Sequence, residues 1–296
     1  MSITFRQLRL FLALADTGSV SAAARATHVT QPTASMQLRE VTDSIGVPLY
    51  EVINRRVHLT DAGLDLAKTA RAIASEWAAF EQKIDSMKGL TRGKLKVAVV
   101  STAQYFVPRL LGTFCARYPE IDIALEVLNR DGVVARLRDN LDDLYIMSMP
   151  PKDIDVADHI FMPNPLVMIA ASAHPMVKRR KLAVHDLTTQ RFILRERGSG
   201  TRMAVDAHFK RLKFKPDVRL EMGSNEAIKE AVAGGLGISV ISSHALHGQA
   251  VEHGVSVLKV SGFPVNSSWH VVYLKGKLLS PIARVFQQHL LNQTTT

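Results

Sequence analysis

Apolar residues in the first ninety positions recur at helical spacing, whereas the last two hundred alternate short apolar runs with amphipathic stretches. Phe5, Leu8, Phe11, Leu12 and Ala15 share one face of a first helix, and Thr17-Gly18 is a stop signal. Ser19 or Ser21 is placed to cap a short alanine-rich helix, AAARAT. His28-Val29 make a brief turn, and Thr30 caps a third helix with Pro32 in its first turn. There Ala34, Leu38, Val41 and Ile45 follow an i, i+4, i+7, i+11 pattern and face a core. The opposite side carries Pro32, Ser35, Met36 and Arg39. Two short helices joined by a tight turn, the second with a polar N-terminal face, predict a helix-turn-helix that fits a DNA major groove.

The outward residues have the chemistry of base reading. Gln31 suits an adenine edge, Ser35 serves as donor or acceptor, and Met36 packs against a thymine methyl. Thr33 stands on the same first turn, and Arg39 suits a phosphate. Beyond Gly46, PLYEVINRRVHLT offers two extended runs around Asn54-Arg55-Arg56. This predicts a wing whose tip brings Arg55 and Arg56 to the DNA backbone or a minor groove. Residues 1–60 therefore read as a winged helix-turn-helix domain.

Capped by Thr60 or Asp61, the next segment reads as one helix to about Gly89. Its apolar residues Leu66, Ala70, Ile73, Trp77, Phe80, Ile84 and Met87 are spaced 4, 3, 4, 3, 4, 3. Sustained for about three heptads, that repeat marks a coiled-coil seam. The helix spans roughly 40 Å and needs a second copy to cover its stripe. Residues 61–91 are thus expected to pair the chain as a homodimer, which suits an inverted-repeat DNA site.

From residue 92 onward strands alternate with helices, predicting two parallel-sheet α/β lobes that cover residues 92–296. The first lobe takes 92–162 and 267–296, the second 163–266, with crossings near Phe161–Pro165 and Pro264–Ser268. Ligands are expected at the carboxyl ends of the strands. Ser101-Thr102 lies between a strand and a helix start, where free N–H groups favour anions. Gly198-Ser199-Gly200-Thr201-Arg202 repeats that arrangement in the second lobe and adds a guanidinium, and Ser148 follows the strand LYIM. Arg195 and Arg197 flank the same glycine-rich loop. Taken together, these residues predict a shared site for a small acidic metabolite.

SVSAAARATHVTQPTASMQLREVTDSIGVPLYE, followed by VHLTDAG, resembles the signature of LysR-type transcriptional regulators. The layout of the whole chain extends that resemblance. It implies a periplasmic-binding-protein-like effector domain, a dimerising linker helix and assembly into tetramers. Further implications are DNA contact at Gln31, Pro32, Ser35, Met36 and the wing arginines, and effector contact at Ser101, Thr102, Ser148 and Thr201, with Gln104 on the same loop. RNA polymerase is the further partner of such a regulator. Within the family, STAQYFVPRLL, DDLYIM, NPLVMIA, RERGSGTR, GSNEAIKEAV and WHVVYLKGKLLSP are most similar to regulators of carbon-fixation (RuBisCO) operons. These respond to phosphorylated or acidic metabolites. The resemblance departs at Val52 and Met149, where arginine is common, at Gln104, where lysine is common, and at Arg197, where proline is common.

Composition narrows the alternatives. A formal net charge of +10 among 296 residues predicts an anionic partner. Its distribution is uneven. Residues 1–92 hold 11 basic against 9 acidic residues, whereas 176–219 alone hold 13 against 4. The surplus therefore sits in the second lobe, as a largely solvated face, and the DNA reading rests on pattern and motif. The single cysteine, Cys115, excludes an internal disulfide and the usual cysteine-based zinc site. No stretch approaches the roughly 18 apolar residues of a membrane span. Arg6 and Arg9 interrupt the weak likeness of the N-terminus to a signal peptide, so the expected place is the cytoplasm. An enzyme is the first rival reading, but GSGT and AGGLGIS lack full dinucleotide or P-loop spacing, and the 11 histidines show no tight ligand spacing. No cofactor or metal is expected. A solute-binding protein, the second rival, has no use for residues 1–90.

Overall fold

The computed structural model describes residues 3–53, 56–87, 93–246 and 254–292. The chain divides into two compact units, one carrying Met1–Ile84 and the other Asp85–Arg138 and Asp142–Thr296.

Three helices open the first unit: α1 (Phe5–Thr17), α2 (Val20–Ala26) and α3 (Gln31–Ile45). Thr4 and Gln7 form a capping box on α1, while Ser19 and Thr30 cap α2 and α3. The turn between α2 and α3 places His28 at φ +56°, a left-handed conformation that tightens the reversal. Leu10, Phe11, Leu14, Ala23, Ala34, Leu38 and Val41 close the core between the three helices. A hairpin follows, β1 (Tyr50–Ile53) and β2 (Arg56–Leu59), paired antiparallel with Ile53 opposite Arg56. Asn54 and Arg55, at its tip, lie outside the described residues.

Helix α4 (Asp61–Met87) is capped by Thr60, whose hydroxyl accepts from the Gly63 amide at 3.1 Å. Its heptad stripe divides into two parts. Ala70 is buried and Leu66 packs on the core of its own unit, whereas Ile73, Trp77 and Phe80 are 42%, 50% and 52% exposed. Trp77 touches both Phe5 and Phe80, so the exposed part is a continuous aromatic surface.

The second unit contains two five-stranded sheets. In the first lobe β3 (Gly93–Val100) lies between β4 (Ile121–Leu128) and β5 (Leu144–Met147), all parallel. Helices α5 (Val107–Arg117) and α6 (Arg130–Arg138) make the crossovers, α5 preceded by a tight 3-10 turn at Ser101–Tyr105. Beyond β5 come β12 (Ser268–Leu274) and then β6 (Val156–Pro163), each antiparallel to its neighbour. The C-terminal helix α9 (Pro281–Asn292) packs on this lobe through Phe286 and Leu290.

The second lobe repeats the plan. Strands β10 (Ile238–Ser242), β8 (Arg191–Arg195) and β9 (Asp217–Met222) are parallel, joined through α7 (Gly200–Arg211) and α8 (Asn225–Ala233). Strand β7 (Leu166–Ala171) pairs antiparallel with β10 on one side and β11 (Val255–Val257) on the other. Both sheets are therefore mixed, which corrects the parallel sheets expected from strand–helix alternation. The physical reason is the double crossing between lobes. Strand β6 leaves the first lobe and β12 re-enters it, so the two run side by side in opposite directions. At the crossing Leu166 and Val265 exchange both backbone hydrogen bonds at 2.9 Å, and Asn164 donates to the Ser267 carbonyl at 2.8 Å.

Strands β6 and β11 were not expected. In β6 the mixed sequence VADHIFMP buries only Phe161, as befits an edge strand, and β11 has three residues.

One glycine fixes the entry of α4. A Cβ on Gly63 meets the Leu49 carbonyl oxygen at 1.9 Å, a backbone atom that cannot turn aside. Gly63→Ala is expected to destabilise the first unit by about 2 kcal/mol through overpacking, read as a fall in its urea midpoint. An unchanged midpoint refutes this account of the helix entry.

Candidate functional site

The N-terminal end of α3 presents a polar face. Gln31, Pro32, Ser35, Met36 and Arg39 are all exposed, Met36 at 56%, while Ala34 and Leu38 behind them are fully buried. Thr33 is half-buried, and its hydroxyl is hydrogen-bonded to that of the capping Thr30 at 2.8 Å. It stiffens the helix start more than it offers a free contact. Pro32 needs no amide partner in the first turn, which leaves that face open to close approach. Arg56 is exposed at the start of β2, and among the described residues neither Arg39 nor Arg56 is in an ion pair. Both guanidinium groups are therefore available to phosphates. Val52 is 62% exposed on the preceding strand, where it adds no charge.

In the second unit the polar residues of both lobes converge. A small cavity of about 10 Å³ is lined by Ser101, Thr102, Arg130, Ser148, Arg195, Ser199, Gly200 and Thr201, with Val100 behind them. The expected hydroxyl groups on Ser101, Thr102, Ser148, Ser199 and Thr201 thus meet at one place, and four of them are almost fully buried. Ser199 is the N-cap of α7, yet its side chain makes no capping hydrogen bond. The first-turn amides of α7 are consequently left to other acceptors, as a helix that binds an anion requires.

The loop before α7 and the first residue of that helix reach the first lobe because glycine stands at two positions. Gly198 holds φ +87°, and a Cβ there meets a carboxylate oxygen of Asp131 at 2.4 Å. At Gly200 a Cβ meets the Ser148 hydroxyl at 2.9 Å.

Arg195 is the centre of the site. Its side chain is 2% exposed and leaves the end of β8 towards the first lobe. Nη2 donates to the Ser101 hydroxyl at 3.1 Å, and Nη1 donates to the Thr102 hydroxyl and the Asn225 amide oxygen, both at 3.2 Å. Asn225 in turn donates to Thr102 at 3.2 Å. Glu196 balances the charge, accepting from Nε at 2.8 Å and from Nη2 at 3.0 Å. A second guanidinium, Arg130, lines the cavity and donates through Nε to the Met149 carbonyl at 2.6 Å. Two cations therefore face this site.

Three expected residues, Arg202, Gln104 and Arg197, lie elsewhere. Arg202 does not line the cavity. It pairs with Asp206 at 2.9 Å and Glu221 at 2.9 Å, and donates to the Arg195 carbonyl at 2.8 Å, so it holds the arginine that does. The reason is geometric: on α7 the first-turn amides point at the cleft, while the side chain at this position turns back over β9. Gln104 is exposed and does not line the cavity; the phenol of the next residue, Tyr105, does not line it either. That phenol donates to Glu226 at 2.7 Å across the lobes; burial and the Glu226 carboxylate hold it far above the usual tyrosine range, so it remains a donor. Arg197 is exposed. Arg130 and Asn225 were not singled out in the sequence. Their only signal is position, each at the start of a helix that follows a strand.

Comparison with known proteins gives this geometry a setting. Residues 5–64 match the model described as bacterial regulatory helix-turn-helix protein, lysR family, and residues 88–295 match the LysR substrate binding domain. The HTH-type transcriptional activator CmpR of Synechocystis is 44% identical over 287 residues, 97% of this chain and 94% of that protein. A RuBisCO operon transcriptional regulator of Acidithiobacillus ferrooxidans is 39% identical over 97% of this chain and 93% of its own. Among solved structures, the Synechocystis CcmR regulatory domain in complex with 2-PG is 44% identical, with a TM-score of 0.67 over 69% of this chain and 99% of that one. Full-length CbnR with its target DNA matches 98% of this chain and 99% of its own at a TM-score of 0.69, and at 23% identity it shows the fold alone.

The buried guanidinium yields a test. Arg195→Leu leaves Glu196, Asn225 and two hydroxyl groups without their donor. Unfolding stability of the second unit is expected to fall by about 3 kcal/mol. Chemical denaturation followed by Trp269 fluorescence reads it. A change below about 1 kcal/mol contradicts the bridging role.

Proposed function

We propose that this chain, which belongs to the LysR family of bacterial transcriptional regulators, controls carbon-fixation or related central-carbon genes in response to a small phosphorylated acid. It is a regulator and not an enzyme. Its α3 reads the bases of one half-site, with Gln31, Ser35 and Met36 at base edges and Arg39 and Arg56 on phosphates. Pairing through the exposed aromatic stripe of α4 supplies the second half-site of an inverted repeat. Tetramers, contact with RNA polymerase and a cytoplasmic location belong to the same reading; among the described residues no helix is long and apolar enough to cross a membrane.

One observation carries the effector assignment: Arg130 and Arg195, five hydroxyl groups and the uncapped start of α7 converge on a single point between the lobes. Guanidinium forks, hydroxyl donors and helix amides together are the chemistry of a phosphate or carboxylate site. The CcmR domain, 44% identical, is complexed with 2-PG (2-phosphoglycolate), an anion of that class. A cavity of about 10 Å³ holds no more than a water molecule. Binding therefore requires the Arg195 guanidinium to exchange its lobe-bridging hydrogen bonds for bonds to the effector. That exchange couples occupancy to the closure of the lobes, because a ligand shifts an equilibrium only through differential affinity.

Two measurements test the two halves of the assignment. Gln31→Ala is expected to lose about 1–3 kcal/mol of discrimination at one base pair, while Arg39→Ala weakens all sequences alike and lowers the salt slope by about 1. Mobility shifts on cognate and scrambled promoter fragments read both, and intact selectivity in Gln31→Ala removes α3 as the reader. Thr102→Val is expected to weaken 2-phosphoglycolate binding by about tenfold or more in calorimetry, with DNA affinity unchanged. Loss of DNA binding in that variant instead contradicts the two-module account.

A further inference from the structure

A larger hollow lies away from the cleft, on the β7–β11 side of the second lobe. Its volume is about 310 Å³, at the lower end of small-molecule sites. The floor is apolar: Val167, Val257 and Phe263 are accessible in it, and Met168 and Leu258 are buried behind them. Three cations, Arg180, Lys181 and Lys259, stand at the rim, all exposed. Among the described residues no acidic side chain lines the hollow, and none of the three cations is in an ion pair. The neighbouring Arg179, by contrast, is paired with Asp186. The arrangement is held in place by backbone: Leu182 and Val260 form an isolated bridge, in which the Leu182 amide donates to the Lys259 carbonyl at 2.9 Å and the Ser261 amide to the Leu182 carbonyl at 2.7 Å.

An apolar bed beneath unneutralised cations selects for a ligand with both characters. A fully polar anion such as a sugar phosphate leaves the apolar floor wet, and a neutral hydrocarbon leaves the cations unused. We propose that this hollow is a second binding site, for a small amphipathic carboxylate of the medium-chain fatty-acid kind. Its apolar body lies on Val167, Val257 and Phe263, and its carboxylate meets the Lys181, Lys259 and Arg180 rim. The site is separate from the hydroxyl-lined cleft in residues and in ligand chemistry. It also lies on the segment that leads into the crossing, since Phe263 and Pro264 immediately precede Val265, which pairs with Leu166. Part of the positive surplus of residues 176–219 thereby acquires a use beyond solvation.

The experiment titrates the full chain with octanoate, using octylammonium as the charge-reversed probe, and follows binding by calorimetry and thermal midpoint. Octanoate is expected to bind saturably and octylammonium not to bind. The double substitution Lys181→Glu with Lys259→Glu is expected to weaken octanoate by about tenfold or more. Val257→Trp, which fills the hollow from an exposed position, is expected to abolish binding. In both variants 2-phosphoglycolate binding is expected to remain at its unmutated affinity, which separates this site from the cleft and also reports that the lobe is folded. Absence of saturable octanoate binding overturns the proposal. So does octanoate affinity that survives both variants, or equal binding of octylammonium.

Discussion

A guanidinium buried between two lobes cannot shed its charge, so it must be given acceptors, and in this molecule those acceptors lie on both sides. Arg195 takes Ser101 and Thr102 from the first lobe and Glu196 and Asn225 from the second. Much of the surrounding construction follows from that demand. The Ser101–Tyr105 turn must bring two hydroxyl groups to the end of β3, and the Gly198–Gly200 loop must come close enough to Asp131 and Ser148 to exclude any side chain of its own. Arg202 is committed to holding the Arg195 backbone, with Asp206 and Glu221 matching its charge. The result is a site in which the residues around Arg195 are themselves held by further contacts.

The parts of this molecule that could be read from the chain are those in which local patterning and tertiary burial agree. Ala34, Leu38 and Val41 repeat at helical spacing and are all fully buried, and Thr30, Ser19 and Thr60 cap the helices they precede. Strand β3 ends in the buried apolar run Val97–Val100 because it is flanked by strands on both sides. Legibility fails where long-range topology decides. Nothing local in VADHIFMP or SWHVVYL states that they are antiparallel partners more than a hundred residues apart. The same limit governs the site. Hydroxyl groups at helix starts announce themselves as caps, so Ser101, Thr102, Ser199 and Thr201 could be grouped in advance. Which of several arginines near one loop enters the cleft depends on side-chain direction: Arg195 lies at a strand end and Arg202 on the back of a helix turn, and the sequence lists both as equal cations.

Charge illustrates a related point. A basic total is a statement about long-range attraction, not about a location. In the first unit the two arginines available for phosphate, Arg39 and Arg56, are few but free of competing acids. In the second unit the cations are many and most of their useful work depends on whether an acid already stands beside them. Arg179 and Arg202 are neutralised locally, Arg195 is partly neutralised by Glu196, and Arg180, Lys181 and Lys259 are not. Availability, rather than number, separates structural cations from those that can meet a ligand.

The double crossing between lobes also sets the order in which the chain can become native as it emerges from the ribosome. The second lobe is built from a continuous stretch, Leu166 to Val257, and its sheet can close once that stretch has been synthesised. The first lobe cannot. In its sheet β6 has no partner until Ser268–Leu274 appears between it and β5, and Trp269, Val271 and Phe286, all fully buried in its core, follow the second lobe in the chain. The earlier-translated lobe is thus completed later, and its strands β3, β4 and β5 must wait with one edge open while the other lobe forms. A premature stop between Val265 and Ser268 leaves a complete second lobe attached to an unfinished first one, a species with an exposed strand edge and a natural target for chaperones and proteases.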